Sequence, residues 1–151
     1  MTQNSFDTPL TSLLMHIGKL LDDNLRSSLN EKSIHFGQAR ILIALSKQEK
    51  LAQNKIGQGV HITPATVTNL VKKMESSELI VRTRDPNDDR IIHVALTPKG
   101  VEAAAFSLDV MKQIEQEITS DFLEEKLKSM LGSLLKIRNT LGGTDPTLLK
   151  N

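Results

Sequence analysis

Between Thr63 and Ser76 the chain sets short hydrogen-bonding groups and two cations along one side of an amphipathic segment. At about 100° per residue, Ala65, Asn69, Lys72 and Ser76 share a face, flanked by Thr66, Thr68 and Lys73, while Val67, Leu70, Val71 and Met74 take the opposite face for burial. Hydroxyls and an amide can meet base edges, asparagine can pair bidentately with adenine, and lysines neutralise phosphates. That chemistry suits nucleic acid. Periodicity alone leaves an ordinary solvated helix face as the alternative.

A second charged group follows at once. β-Branched residues in Ile80 to Arg84 and Ile91 to Leu96 flank Asp85-Pro86-Asn87-Asp88-Asp89, a run of turn formers, so this stretch predicts a β-hairpin carrying Arg82, Arg84, Asp88 and Arg90. Arg82 and Arg84 at its base suit phosphate contacts. The acidic residues Asp85, Asp88 and Asp89 would repel DNA unless paired, and Arg90 paired with Asp88 or Asp89 on an ordinary surface is the plain alternative. A helix followed directly by a charged hairpin is the arrangement with which a winged helix-turn-helix reads duplex DNA.

These residues also carry a family resemblance. Asp88-x-Arg90 followed by Leu96-Thr97-x-x-Gly100 resembles the wing signature of the MarR (multiple antibiotic resistance regulator) family, and Pro64-x-Thr66-Val67-Thr68-x-Leu70-Val71 resembles its recognition helix. The resemblance extends over roughly the whole chain. It implies that Asp88 orients Arg90 into the minor groove, where negative potential deepens at narrow A·T-rich segments. Thr66, Thr68 and Asn69 then lie near base edges or phosphates, Lys72 and Lys73 mainly on phosphates, and Ala65 offers an apolar contact such as one to a thymine methyl. The chain departs from the family at Pro64 and Asn69, where arginine is common.

The elements that must position these groups can be read in order. Thr8-Pro9 predicts a helix start, after which Leu10, Leu13, Leu14, Ile17, Leu20, Leu21 and Leu25 hold one stripe to about Leu29. Phe36 to Ser46 is apolar nearly all round from Ile41 to Leu45 and belongs at a domain centre. Lys47 to Lys50 is a solvated connection. Leu51 to Gly59 reads as the positioning helix, weakened by Gly57 and Gly59 and so dependent on tertiary packing. His61 stands at the tight position of the turn, where glycine is common, and histidine tolerates positive φ better than most residues. Thr63 suits the N-cap of the next helix and Pro64 its first position. Thr97-Pro98 starts a long helix to about Ile118. Ser120 or Asp121 is expected to cap a last helix with Leu127, Met130, Leu131, Leu134, Leu135, Ile137 and Leu141 on its apolar side, stopped by Gly142-Gly143.

The expected fold is therefore mainly α with a small β-hairpin, a winged helix-turn-helix between N- and C-terminal dimerisation helices. It forms one domain over 1–151, with a DNA-binding lobe at about 34–97, dimerisation helices at about 8–30 and 98–142, and a tail at 143–151. The resemblance implies the dimer, through Leu10, Leu13, Leu14 and Ile17 of the first helix and Leu127, Met130, Leu131 and Leu134 of the last. An ordinary intrachain core is the plainer alternative for the stripe on the first helix.

Composition excludes more than it selects. With 151 residues and a formal net charge of +1, the case for a polyanionic partner rests on where charges lie. The absence of cysteine removes disulfides, thiolate metal sites and thiol catalysis. His16, His35, His61 and His93 show no metal-ligand spacing, and there is no phosphate loop, nucleophile elbow or carboxylate pair with an evident partner. No enzyme, metal or cofactor is expected. The four phenylalanines argue against a base-stacking single-strand binder. No signal segment or membrane span is legible, so a cytoplasmic protein with no membrane partner is the expectation.

The resulting expectation is a homodimeric regulator, sequence-specific for double-stranded DNA, repressing from a pseudo-palindromic operator with half-sites about one turn apart. The resemblance adds a small lipophilic or phenolic effector, whose contact residues are unknown; His16 and Arg40 are the polar groups nearest where its pocket would lie, with surface or helix-end roles as their plainer reading. The rival reading is a winged-helix module for protein interaction or weakly specific architectural DNA binding.

Overall fold

A computed structural model describes residues 8–144. Its elements are α1 (Leu10–Asn30), α2 (Phe36–Ser46), β1 (Leu51–Ala52), α3 (Gln53–Val60), α4 (Pro64–Ser76), β2 (Ile80–Arg84), β3 (Ile92–Leu96), α5 (Pro98–Thr119) and α6 (Glu124–Thr140). The strands form one antiparallel sheet in the order β1-β3-β2.

The core is built around α2. Ile41, Leu42 and Leu45 are fully buried, as the all-round apolar run from Ile41 to Leu45 requires, and they meet Leu29 of α1, Ile56 and Val60 of α3, Val71 and Met74 of α4 and Val94 of β3 in one cluster. His35, placed before α2, caps it with Gln38: its amide donates to the Gln38 side-chain oxygen at 3.1 Å, completing a capping box not evident from residue types.

Two junctions fix α4 and the hairpin. The turn from α3 to α4 passes through His61 at φ 52° and ψ 49°, the left-handed conformation expected at that position. Gly57 lies beneath this turn. A Cβ there would approach the carbonyl of Ile62 to 2.6 Å, so the glycine that weakens α3 locally is what lets the chain close over it. The second junction joins the hairpin to α5. Thr97 Oγ1 accepts from the Gly100 amide at 3.0 Å and donates to the Glu78 carbonyl at 2.6 Å, while the Thr97 amide donates to the Leu79 carbonyl at 3.1 Å. A Cβ on Gly100 would stand 1.9 Å from that Leu79 carbonyl oxygen. Backbone crosses backbone here, which explains why the motif ends in glycine.

Three expectations need correction. Leu51 and Ala52 open no helix: they form β1, paired Leu51↔Val94 and Ala52↔His93 on the outer edge of β3, so the hairpin is part of a three-stranded sheet and α3 starts at Gln53. The outer edge of β3 offers unpaired backbone groups that a two-residue strand can satisfy. Thr8 does not cap α1; Pro9 occupies the cap position and its carbonyl accepts from the Leu13 amide at 3.1 Å. Neither Ser120 nor Asp121 caps α6, whose N-cap is Leu123. Ser120 instead closes α5, with its amide on the Gln116 carbonyl and its hydroxyl on that of Glu117. Glu124 and Glu125 in the first turn of α6 complement the helix dipole without a side-chain cap.

Gly142 ends α6 at φ 82°, and the Gly143 amide returns to the Arg138 carbonyl at 2.9 Å. Of the expected tail at 143–151, residues 145–151 lie outside the described residues.

At the two ends of the chain the apolar stripes are left uncovered. On α1 only Leu25 and Leu29 are buried; Leu10, Leu13 and Ile17 are exposed and Leu14 is half-buried. No residue of α6 is buried: Leu131 and Leu134 are exposed, Leu127 and Met130 half-buried. An intrachain core therefore accounts only for the last turns of α1.

Candidate nucleic-acid interface

The exposed face of α4 starts from its cap. Thr63 Oγ1 accepts the Thr66 amide at 3.3 Å and shares a hydrogen bond with the Thr66 hydroxyl at 2.8 Å, and Pro64 takes the first helical position. Burial of Val67, Val71 and Met74 then turns the other side outward. Ala65, Thr66, Asn69, Lys72 and Lys73 are exposed, and Thr68 is half-buried. The Thr68 hydroxyl donates to the Pro64 carbonyl at 3.0 Å, so in this rotamer it offers a ligand acceptor lone pairs and a methyl group.

The wing is held by four acidic residues, three through their carboxylates and one through its backbone. Asp88 takes the Arg90 guanidinium side-on, Nε to Oδ1 at 3.0 Å and Nη2 to Oδ2 at 3.1 Å, and also accepts the Arg90 amide at 3.1 Å. These bonds hold the Asp88 carboxyl below the usual carboxylate range and the Arg90 guanidinium above its ordinary value. Arg90 itself projects, 90% exposed. Asp85 accepts the Asn87 and Asp88 amides on one oxygen, at 2.8 and 3.2 Å, and the His93 ring on the other at 2.8 Å. The hydrogen bond from His93, then that of the Asn87 amide, lowers its pKa. Asp89 serves through its backbone, accepting Arg84 Nη1 at 3.4 Å.

Glu75, the fourth, lies on α4 and joins it to the hairpin. Arg82 donates from Nε at 2.8 Å and Nη2 at 2.6 Å to one Glu75 oxygen, which lowers the Glu75 pKa. Arg82 is thus half-buried and turned toward α4. Arg84 is exposed.

Helix and wing bound a groove of about 640 Å³ lined by Asn54, His61, Thr63, Thr68 and Arg90 among others. A second cleft, about 760 Å³, is lined by Lys32, Lys72, Lys73, Lys99 and Glu102 among others. Positive charge therefore runs along the outer side of α4 although the whole chain is close to neutral.

Residue types alone did not single out Glu75, Asp85 and His93. Their roles depend on which strand faces which helix, and Arg82 and Glu75 are seven residues apart on different elements. His16 is exposed on α1. Arg40 is half-buried with its guanidinium 5.7 Å from the Phe36 ring centre, and burial lowers its pKa. No cluster of His, Asp or Glu suited to a metal occurs among the described residues, and no helix among them is long and apolar enough to cross a membrane.

Comparison with known proteins follows the same outline. A sequence model of the MarR family matches residues 36–92, from α2 to the first residue of β3. The HTH-type transcriptional regulator SarZ of Staphylococcus epidermidis is 30% identical over 94 residues, 62% of this chain and 61% of that protein. SarZ of Staphylococcus saprophyticus is 29% identical over 114 residues, 76% of this chain and 78% of that one. Among solved structures, S. aureus MepR in complex with DNA superposes with a TM-score of 0.84 at 26% identity, over 89% of this chain and 99% of MepR. A mutant MarR from E. coli complexed with operator DNA gives 0.76 at 19% identity, again over 89% and 99%, a likeness of fold.

Proposed function

We propose that the chain is a regulator of the MarR family, whose sequence model it matches over residues 36–92, and that it acts as a homodimer that binds a pseudo-palindromic duplex operator and represses transcription by occupying it. The observation that carries this reading is the shared groove: Thr68 of α4 and Arg90 of the wing line the same cleft, so a helix in the major groove would set the wing beside the adjoining minor groove. Ala65, Thr66, Thr68 and Asn69 meet base edges or nearby phosphates. Lys72, Lys73 and Arg84 take phosphates, and Arg90, aimed by Asp88, enters the minor groove. Arg82 acts from Glu75, holding wing to helix, with the phosphate as its second partner.

The dimer is supported by the uncovered stripes of α1 and α6. Leu13 and Ile17 on one, Leu131 and Leu134 on the other, are 39–50% exposed in the single chain, and such apolar stripes at both termini of a small domain favour a second copy. Two copies joined there present two recognition helices with two-fold symmetry. A small lipophilic or phenolic effector would act by preferring one spacing of those helices over the other; its support is the family, together with the half-buried Arg40 beside Phe36. Footprinting on a bound duplex tests the reading, with dimethyl sulfate at guanine N7 reporting the major groove and hydroxyl radicals at the sugars reporting the minor groove. Two protected major-groove segments one turn apart, flanked by minor-groove protection, support it, and a single or diffuse footprint contradicts it.

A further inference from the structure

We propose that His93 is a positioning residue for the wing arginine, acting through Asp85 and the wing-turn backbone to set the direction in which Arg90 is presented. This rests on the DNA-binding reading and names a residue of the wing that the family motif does not include.

His93 sits in the middle strand, paired with Ala52 of β1 on one side and Thr83 of β2 on the other, so its backbone is fixed from both edges. Its Nε2 lies 2.8 Å from Asp85 Oδ2, with the two side chains 17% and 23% exposed. A carboxylate only accepts, so Nε2 carries the proton. The other ring nitrogen, Nδ1, is buried without a partner, which leaves Asp85 as the group that orients the ring. Asp85 in turn directs its second oxygen to the amides of Asn87 and Asp88. An aspartate can close such a turn alone. What His93 adds is a fixed rotation of the carboxylate, so that the turn is built from the strand outward.

The consequence reaches the tip. The Asp88 amide is one of the two held by Asp85, and the Asp88 side chain is what grips Arg90. At 90% exposure Arg90 has almost no packing to hold it, so its direction follows from Asp88. The order of control is His93, Asp85, the Asn87–Asp88 backbone, Asp88, Arg90.

The test is a double-mutant cycle with a second readout that needs no DNA. His93→Leu should weaken binding to an A·T-flanked operator about fivefold in the parent and by less than about twofold in an Arg90→Ala background, and His93→Gln, which restores an N–H donor, should recover most of the loss. Amide hydrogen exchange at Asn87 and Asp88 should quicken roughly tenfold in His93→Leu. Should that variant not fold, the near-isosteric Asp85→Asn carries the same comparison. An equal loss in both backgrounds, or unchanged exchange at both amides, overturns the relay. A parent without operator preference would overturn the DNA reading instead, while the exchange data still decide the relay.

Discussion

Arg82 places both its Nε and its Nη2 on a single carboxylate oxygen of Glu75, at 2.8 and 2.6 Å, and so ties the second strand of the sheet to the C-terminal half of the recognition helix. The pair makes helix and wing one unit. It also sorts the basic residues by role. Lys72→Gln should lower the slope of log affinity against log salt by about one phosphate's worth, whereas Arg82→Gln should leave that slope closer to the parent's while weakening affinity about three- to tenfold. Titrations across salt concentrations check both.

Arg90 reaches outward, and among the described residues Asp88 alone holds it. Arg90→Ala should lower affinity about tenfold for duplexes with A·T-rich flanks and much less for G·C-rich flanks, with an unchanged thermal midpoint. Equal losses on both flanks would count against minor-groove entry.

The approach of Gly100 to the Leu79 carbonyl admits no side chain. Gly100→Ala should cost about 2–4 kcal/mol and lower the thermal midpoint by roughly 5–15 °C, because carbonyl and helix start must separate. Differential scanning calorimetry gives the answer directly.

This glycine shows how much of the fold was legible. Thr97-Pro98 predicts a helix start and His61 a left-handed turn; both are local, and both are found. The apolar run in α2 placed it at the centre for the same reason, since an all-round apolar helix has no solvent side. What sequence did not reveal is non-local. Leu51 and Ala52 become a strand because β3 has a free edge. Asp85 seemed a liability near DNA until the fold brought His93 to it across the hairpin. Thr8 and Ser120 have capping chemistry, yet the helices start elsewhere.

Acid should loosen the wing. Asp85 and Asp88 have pKa values below their ordinary 3.8, so between that value and the lowered ones the unfolded chain binds more protons than the folded one. Stability from these groups is therefore complete above the ordinary value and is lost as pH falls through the lowered values. Thermal midpoints measured from pH 5 down to pH 2 should fall less steeply for Asp85→Asn than for the parent; an identical slope would remove Asp85 from this account.

Leu13→Glu combined with Leu131→Glu should convert the protein to monomers and lower operator affinity at least about a hundredfold, since each half-site would be bound alone. Sedimentation velocity reads the assembly. A doubly charged variant that still sediments as a dimer and binds fully would exclude the α1 and α6 stripes as the interface.

The central claim is specific duplex recognition by α4 and the wing, and the most direct measurement is a fluorescence titration of the protein against a duplex enriched by it from a random pool and against a scrambled duplex, repeated over a range of salt. A preference of roughly 10³-fold or more is expected, with affinity falling steeply as salt rises. Equal, weak binding to both duplexes at every salt concentration would contradict it.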